Sequence, residues 1–323
     1  MKIRKKDFEY LRDAPEDQKD IIREILDDQS KEEKIEVNVY PASQFKEEAL
    51  EISKDPYKIR GVATGYPTLD KMLCGLDKGE LVILAGETSV GKSLMAVNLI
   101  VQSFLKNDKL ISTLFFSLEM PIKNILSRFL MIEPNIDGYP LYFYDNMKGA
   151  NISTVRKAIQ KLKDQYKVDL VVIDHLHYFP LARDNQAAEV GRITREIKQL
   201  AIEFDIPIIL LAHLRRKMAS SSMDKEPQID DLKDSSSIGQ DADIVIMLKR
   251  DDIDIDNRNM LSVFVRKNRN KGMTGTMDMY IDFKNLKISE VSNRQPNVNI
   301  PPKIEQSNLD DEVEDMIDNI DNY

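Results

Sequence analysis

The sequence predicts an α/β fold whose sheet is mainly parallel and ends in an antiparallel extension. Three observations lead there. Strand-length apolar runs alternate with helical patterns through the middle of the chain, the first run feeds a glycine-rich loop that opens a helix, and strands then accumulate near the end. Strands are expected at 81–85, 112–117, 140–144, 169–174, 207–212, 243–248, 261–267 and 277–283. Helices are expected at 92–106, 121–132, 152–166 and 187–204. No internal repeat interrupts the alternation.

The chain of 323 residues has room for one large α/β domain with appendages. No apolar run is long enough to span a bilayer. The basic start MKIRKK leads into DFEYLRDAPEDQ without an apolar stretch, so it does not read as a secretory signal, and a cytoplasmic location is expected. The single Cys74 excludes an internal disulfide and suits a reducing compartment. The only histidines are His175, His177 and His213, and no Cys/His spacing points to zinc. The net charge of −9 is unevenly spread. Residues 304–323 contribute −8 and residues 1–60 contribute −3, which leaves 61–303 at +2. An acidic tail can therefore mask a mildly basic core, and the overall charge does not exclude nucleic acid.

Residues 1–60 read as a helical arm. Pro15 to Gln29 has proline in its first turn, early acids and an apolar stripe of Ile21, Ile22, Ile25 and Leu26. Ser43 to Lys54 forms a second short helix with Phe45, Ala49 and Ile52 on one face. It is too short to hold alone, so that face docks on its own core or on a neighbouring subunit. Residues 61–291 carry the α/β core, within which the polar, serine-rich stretch 216–240 is expected to be a mobile loop. Residues 292–323 are a linker followed by the acidic tail. Leu309, Val313, Met316, Ile317 and Ile320 lie at helical spacing there, which leaves open a solubilising tail or a partner-binding helix.

The chemistry starts at LVILAGETSVGKSL, residues 81–94. An apolar strand, a loop from Gly86 through Glu87, Thr88, Ser89, Val90, Gly91 and Lys92 to Ser93, and an apolar helix form a phosphate-binding loop in the context that it requires. Its backbone N–H groups and the helix N-terminus would hold phosphate oxygens. Lys92 would reach the β- and γ-phosphates of ATP, and the Ser93 hydroxyl would hold Mg²⁺. Asp174 ends the strand Leu170–Ile173 and is the second expected Mg²⁺ ligand. The next residue is His175, so a water-activating carboxylate cannot come from there. Glu119, just past the strand that ends at Leu118, is the best candidate base, because strand C-termini of a parallel sheet converge on the ligand side. Taken alone, Glu119 also fits a helix N-terminal acid before Pro121. His213 arrives at the same edge after Ile208–Ala212, either as a γ-phosphate sensor or as an ordinary strand-end histidine. Arg215, Arg216 and Lys217 follow it and suit phosphate contact on nucleotide or DNA. Lys267 and Arg269 sit on a basic tip, which is either a surface turn or a pair that completes a partner's site.

With these residues in place the chain resembles the DnaB-type hexameric replicative helicases, whose motor has the RecA fold. The resemblance covers roughly residues 60–290. GVATGYPTLDKMLCGLDKGELVILAGETSVGKS (61–93), FFSLEM (115–120), VVIDHLHYF (171–179), DLKDSSSIGQDADIVIMLKRDD (231–252) and KNRNKGMTGT (267–276) carry it. It implies a RecA-like phosphate-loop NTPase core with an N-terminal helical arm and an acidic C-terminal tail. It also implies a ring, with six subunits expected, that translocates 5′→3′ on single-stranded DNA and unwinds forked DNA. It supports Glu119 as base and implies Lys267 and Arg269 acting on a neighbour's γ-phosphate. The family's DNA-contact positions fall on Lys233, Asp234 and Ser236, the last replacing a glycine. Bacterial members usually carry Tyr and Gln where this chain has His175 and His213. Some phage primase–helicases share the histidines, which suggests a phage or plasmid origin and a host cytoplasm. Nothing in residues 1–60 resembles a primase or the family's larger helical N-terminal domain. The arm resembles only the linker helix that packs on the adjacent subunit in such rings. A primase, a loader or other replisome proteins are the implied partners. The alternatives are a RecA-like DNA-dependent ATPase or recombinase that does not unwind, and a ring subunit that only binds nucleotide.

Overall fold

The computed structural model describes residues 40–107, 110–144, 150–180, 186–214, 226–232, 236–250, 258–271, 273–291 and 297–299. The chain divides into two compact units at Asp55/Pro56. In the first, a 3₁₀ turn, Ala42–Phe45, leads into α1, Lys46–Lys54. Glu47 and Glu48 lie in the first turn of α1 and Lys54 in its last, as the helix dipole favours. None of its residues is buried, and Phe45, Leu50 and Ile52 are exposed. The expected helix at 15–29 lies outside the described residues, as does the tail 304–323.

The second unit holds α2 (Pro67–Leu73), β1 (Leu81–Gly86), α3 (Lys92–Lys106), β2 (Thr113–Ser117), α4 (Ile122–Ile132) and β3 (Leu141–Tyr144). It continues through α5 (Ile152–Gln165), β4 (Leu170–Asp174), α6 (Gln186–Phe204) and β5 (Ile208–His213). It ends with α7 (Ser236–Asp241), β6 (Ile244–Arg250), β7 (Met260–Asn268), β8 (Thr274–Asp282), β9 (Lys287–Glu290) and β10 (Asn297–Asn299). The strand order is β10-β8-β7-β6-β1-β5-β4-β2-β3, with β9 also on β8. Strands β1 to β6 are parallel to one another, and β7 to β10 pair antiparallel, as the sequence predicts for the sheet.

Both faces of the sheet are covered, so its central strands are apolar throughout rather than alternating. The period of two still decides which core each side chain joins. Val82 and Leu84 of β1 face the layer with α2, α3 and α4, where Met95, Ile100 and Phe129 pack. Leu81, Ile83 and Ala85 face the layer with α5 and α6, where Ile159, Ile193 and Ile197 pack. Burying a side chain of this size contributes about 1.5–3 kcal/mol, and some seventy such residues fix the register. Among the described helices none is long and apolar enough to cross a membrane.

The structure differs from the sequence reading in five short elements. Helix α2 begins on Pro67 and closes with Cys74 in the left-handed region at φ 58°. Within the stretch expected to be a loop through 240, the described residues 227–232 and 236–240 are instead folded. They contain a 3₁₀ turn, Ile229–Asp231, and α7, anchored by the buried Pro227, Leu232 and Ile238. Strand β9 was not expected, and β10 adds Asn297–Asn299 to β8 inside the expected linker.

Candidate functional site

The phosphate loop leaves the C-terminal end of β1 at the centre of the sheet. Gly86 is needed where it stands. A Cβ there would lie 2.6 Å from Val90 Cγ1 and 3.2 Å from the Leu248 carbonyl oxygen. Gly91, at φ 111°, turns the backbone into α3, and Ser89 also adopts positive φ. Lys92 opens α3 and is 6% exposed. Its Nζ donates to the Gly86 and Glu87 carbonyls at 3.0 and 2.9 Å and meets His213 Nδ1 at 3.1 Å. Burial lowers its pKa to about 8, against the pull of Asp174, Glu119 and Glu87.

Parallel pairing brings the ends of β2, β4 and β5 to the same edge. Ser117 pairs with Asp174, and Gly86 with His213. The Leu118 and Glu119 amides both donate to the Asp174 carbonyl, at 2.8 and 3.2 Å, which ties the segment carrying Glu119 to the end of β4. The Asp174–His175 peptide is cis. The Asp174 carboxylate is 1% exposed, and neither oxygen makes a well-formed hydrogen bond. Burial raises its pKa to about 6, and the nearby Ser93 hydroxyl opposes that shift. A buried carboxylate that lacks a well-formed hydrogen bond, beside a serine hydroxyl, offers the hard oxygen donors that Mg²⁺ prefers, so these residues fit that ion.

His175 links the base to the sensor. Its Nε2 lies 3.3 Å from Glu119 Oε2 and 2.9 Å from His213 Nε2. The His177 amide donates to His175 Nδ1 at 3.1 Å, so neutral His175 carries its proton on Nε2, facing Glu119 and His213. Burial, with His213, His177 and Lys92 close by, depresses its pKa to about 3. A continuous line of contacts therefore runs from Lys92 through His213 and His175 to Glu119.

Lys92, Ser93, Asp174, Glu119 and His213 are thus gathered at one edge. Lys267 and Arg269 are not with them. Strand β7 runs antiparallel to β6, and Lys267 pairs with Val245 near the start of β6. Its Nζ donates to the Gly239 and Gln240 carbonyls of α7 at 2.8 and 3.0 Å. The Arg269 amide donates to the Asp243 carbonyl, while its guanidinium lies 3.8 Å from Asp243 Oδ1 and is 58% exposed. Arg215, Arg216, Lys217, Lys233 and Asp234 lie outside the described residues. Ser236 begins α7, and its side chain also lies outside them.

Sequence reasoning missed three residues. His175 entered it only as a departure from a pattern, because its contact with His213 depends on β4 and β5 being neighbours. Arg250 and Phe283 sit beside the loop. Arg250 Nη2 donates to the Ser89 carbonyl at 3.1 Å, and its guanidinium lies 5.5 Å from the Phe283 ring centre. The signal for Arg250 was present, since β6 ends in Lys249-Arg250 after five apolar residues, at the level where β1 enters the loop.

Residues 61–142 and 135–290 match the family model described as the DnaB-like helicase C terminal domain. The replicative DNA helicase DnaC of Bacillus subtilis is 31% identical over 274 residues, 76% of this chain and 60% of that protein. The replicative DNA helicase DnaB of Geobacillus stearothermophilus is 30% identical over 275 residues, with the same coverage. This chain therefore spans about 60% of the length of these two relatives. Among solved structures, an isolated ATPase domain superposes with TM-score 0.68 at 23% identity, over 79% of this chain and all of that one. A DnaB-like replicative helicase, described with its interactions with primase, superposes with TM-score 0.67 at 23% identity, over 84% of this chain and 71% of that one. Both share the fold.

Proposed function

Because the chain belongs to the DnaB-like helicase C-terminal domain family, we propose that it is the motor of a ring-forming, ATP-dependent replicative DNA helicase. The observation that carries this reading is the separation of the two halves of its nucleotide site. Arg269 stands level with Asp243, five residues before Leu248, which is level with Gly86. At about 3.3 Å per residue the gap is roughly 16 Å along the strand, beyond an arginine's reach. Arg269 therefore does not reach the site of its own chain, and the Lys267 ammonium is engaged elsewhere, on the Gly239 and Gln240 carbonyls. Both side chains suit the site of a neighbour, and a head-to-tail contact of that kind generates a ring where the rotation between subunits closes, which is the assembly proposed here.

In this reading Lys92 leaves the Gly86 and Glu87 carbonyls to meet the β- and γ-phosphates of ATP. Ser93 and Asp174 hold Mg²⁺, which supplies charge neutralisation on the phosphate oxygens. Glu119 accepts a proton from the attacking water, and the His175 Nε2–H holds one of its carboxylate oxygens. His213 loses its Lys92 contact when Lys92 moves, so it can report nucleotide to the 215–217 segment that follows it. Lys267 and Arg269 reach the γ-phosphate of the next subunit's nucleotide. Arg250 and Phe283, paired beside the Ser89 end of the loop, offer a cation and an aromatic ring to the bound nucleotide.

DNA passes through the ring along Arg215, Arg216, Lys217, Lys233, Asp234 and Ser236. Contacts to the backbone suffice there, because translocation has to tolerate any sequence. The exposed apolar residues of α1 dock on an adjacent subunit. The reading extends to six subunits, 5′→3′ movement, a primase or loader as partner and a cytoplasmic setting, with family membership as the support for each. An unwinding assay on a DNA fork with a 5′ tail tests the reading. ATP-dependent strand separation is expected. ATP hydrolysis on single strands without separation of the fork would leave a DNA-dependent ATPase and overturn the helicase reading.

A further inference from the structure

All three histidines of this chain lie at the edge of the sheet beside the phosphate loop. The His175 ring centre is 5.6 Å from that of His177 and 4.3 Å from that of His213. Two of them cluster with Glu119: His175 meets both it and His213. His175 Nε2 is 2.9 Å from His213 Nε2 and 3.3 Å from Glu119 Oε2, and the three residues' ligand atoms all lie within 4.8 Å of one another. We propose that Glu119, His175 and His213 form a site for a divalent transition ion, zinc foremost, separate from the Mg²⁺ position at Ser93 and Asp174.

The spacing suits the ion. Bonds of about 2.0–2.2 Å at tetrahedral angles place ligand atoms roughly 3.3 Å apart, so two of the pairs stand close to the required separation. Two imidazoles and one carboxylate on one side leave a fourth position for water or a phosphate oxygen. This donor set selects zinc, cobalt, nickel or copper over magnesium, whereas the Ser93 and Asp174 oxygens do the reverse. The site is also held in place. His175 is 4% exposed and packs edge-on against Tyr178 at 5.0 Å, and the Leu118 and Glu119 amides tie the Glu119 segment to the Asp174 carbonyl. Sequence spacing gave no sign of zinc because the three ligands come from the ends of three different strands.

Protons must rearrange for the ion to bind. Coordination through His175 Nε2 moves that ring's proton to Nδ1 and gives up the 3.1 Å contact with the His177 amide. Coordination through His213 Nε2 leaves a proton on Nδ1, which faces the Lys92 ammonium at 3.1 Å. Lys92 and the ion are therefore alternatives at His213, and the ion binds when Lys92 has swung toward phosphate. A carboxylate oxygen held by the ion cannot take a proton from water, so occupancy would arrest hydrolysis. That consequence rests on the proposed role of Glu119 as base, but the binding does not.

The test uses the full chain without a histidine tag, stripped of metal, saturated with a non-hydrolysable ATP analogue that draws Lys92 to phosphate, and titrated with Co²⁺ in excess Mg²⁺. The expected result is one Co²⁺ per chain with the visible absorption of four- or five-coordinate cobalt, displaced by Zn²⁺. His175→Phe keeps a ring against Tyr178, and His213→Gln keeps a polar side chain of similar reach. Each should weaken cobalt binding at least tenfold in protein that circular dichroism shows to be folded. The weak absorption of octahedral cobalt on surface carboxylates, or a spectrum unchanged in both variants, would overturn the site. If both variants unfold, X-ray absorption on the zinc-loaded chain decides, with two imidazoles per zinc expected and fewer counting against it. Cobalt binding in a chain that never hydrolyses ATP would overturn the proposed motor and leave the site standing.

Discussion

Asp174 carries its charge at neutral pH against the cost of its burial. Its folded pKa of about 6 lies above the ordinary value of 3.8 for an exposed Asp. A pKa raised on folding favours the native state fully below the unfolded pKa, and that advantage is lost as pH rises through the folded one. Asp174→Asn is therefore expected to stabilise the ligand-free protein above pH 6 by on the order of 3 kcal/mol, with the gain vanishing below pH 4. Chemical denaturation at several pH values checks this. The same variant should lose Mg²⁺-dependent nucleotide binding, because the buried carboxylate is what the ion would satisfy. Glu119→Gln separates binding from chemistry. ATP affinity should hold while turnover falls about 10²–10⁴-fold, and retained turnover would remove Glu119 from the mechanism. Both acids were legible in the sequence, because each follows an apolar strand and strand ends of a parallel sheet share one side. The link between them was not. His175 reaches Glu119 and His213 only because β4 lies between β2 and β5, and no local pattern reports that order.

The phosphate loop works as a unit because its backbone is packed from both sides. In Gly86→Ala the new methyl would press on the buried Val90 side chain at 2.6 Å and on the Leu248 backbone oxygen at 3.2 Å. Val90 has few rotamers to escape into and a strand oxygen cannot yield, so the loop itself should shift. Nucleotide affinity should drop at least about tenfold, read by fluorescent-nucleotide titration, while the helical content of the chain stays the same. Helix α1 makes the opposite case, since its apolar residues are exposed and contribute nothing to a core. Replacing Leu50 and Ile52 by serine should leave the unfolding free energy within about 0.5 kcal/mol and shift sedimentation toward smaller species. An unchanged sedimentation profile would deny α1 a part in assembly. The long elements could be read from the sequence because each buries a whole face, and period and length then agree. The short ones could not. Among the described side chains of α7 the buried apolar anchor is Ile238, in a polar run, and β9 and β10 gain their order from β8 rather than from their own composition.

At the scale of the whole molecule the sequence supplied a basic tip on a strand but not the edge from which it projects. That depends on β7 running antiparallel to β6, which carries Lys267 and Arg269 away from their own phosphate loop. The tip is also wired into its own subunit. Lys267 holds the last turn of α7 by the Gly239 and Gln240 carbonyls. Asp243, which faces Arg269, also accepts from Lys198 at 2.7 Å and from the Leu81 amide at the start of β1 at 2.8 Å. A nucleotide on the neighbour would thus pull on the base of β1 and on the helix that follows the proposed DNA contacts. Mixing experiments test whether a site is shared. Lys92→Ala should disable the loop side of an interface, and Arg269→Ala the basic side, so each variant alone should be inactive while still sedimenting as a ring. In rings assembled from equal amounts of the two, an interface works when an Arg269→Ala chain gives the loop and a Lys92→Ala chain gives the arginine. Random assembly makes about one interface in four of that kind. ATP hydrolysis should then recover to roughly a quarter of the unmodified ring if sites act independently, and to less if they fire in sequence. A mixture no more active than its parents would mean that Arg269 does not act on a neighbour, and the ring reading would lose the observation that carries it.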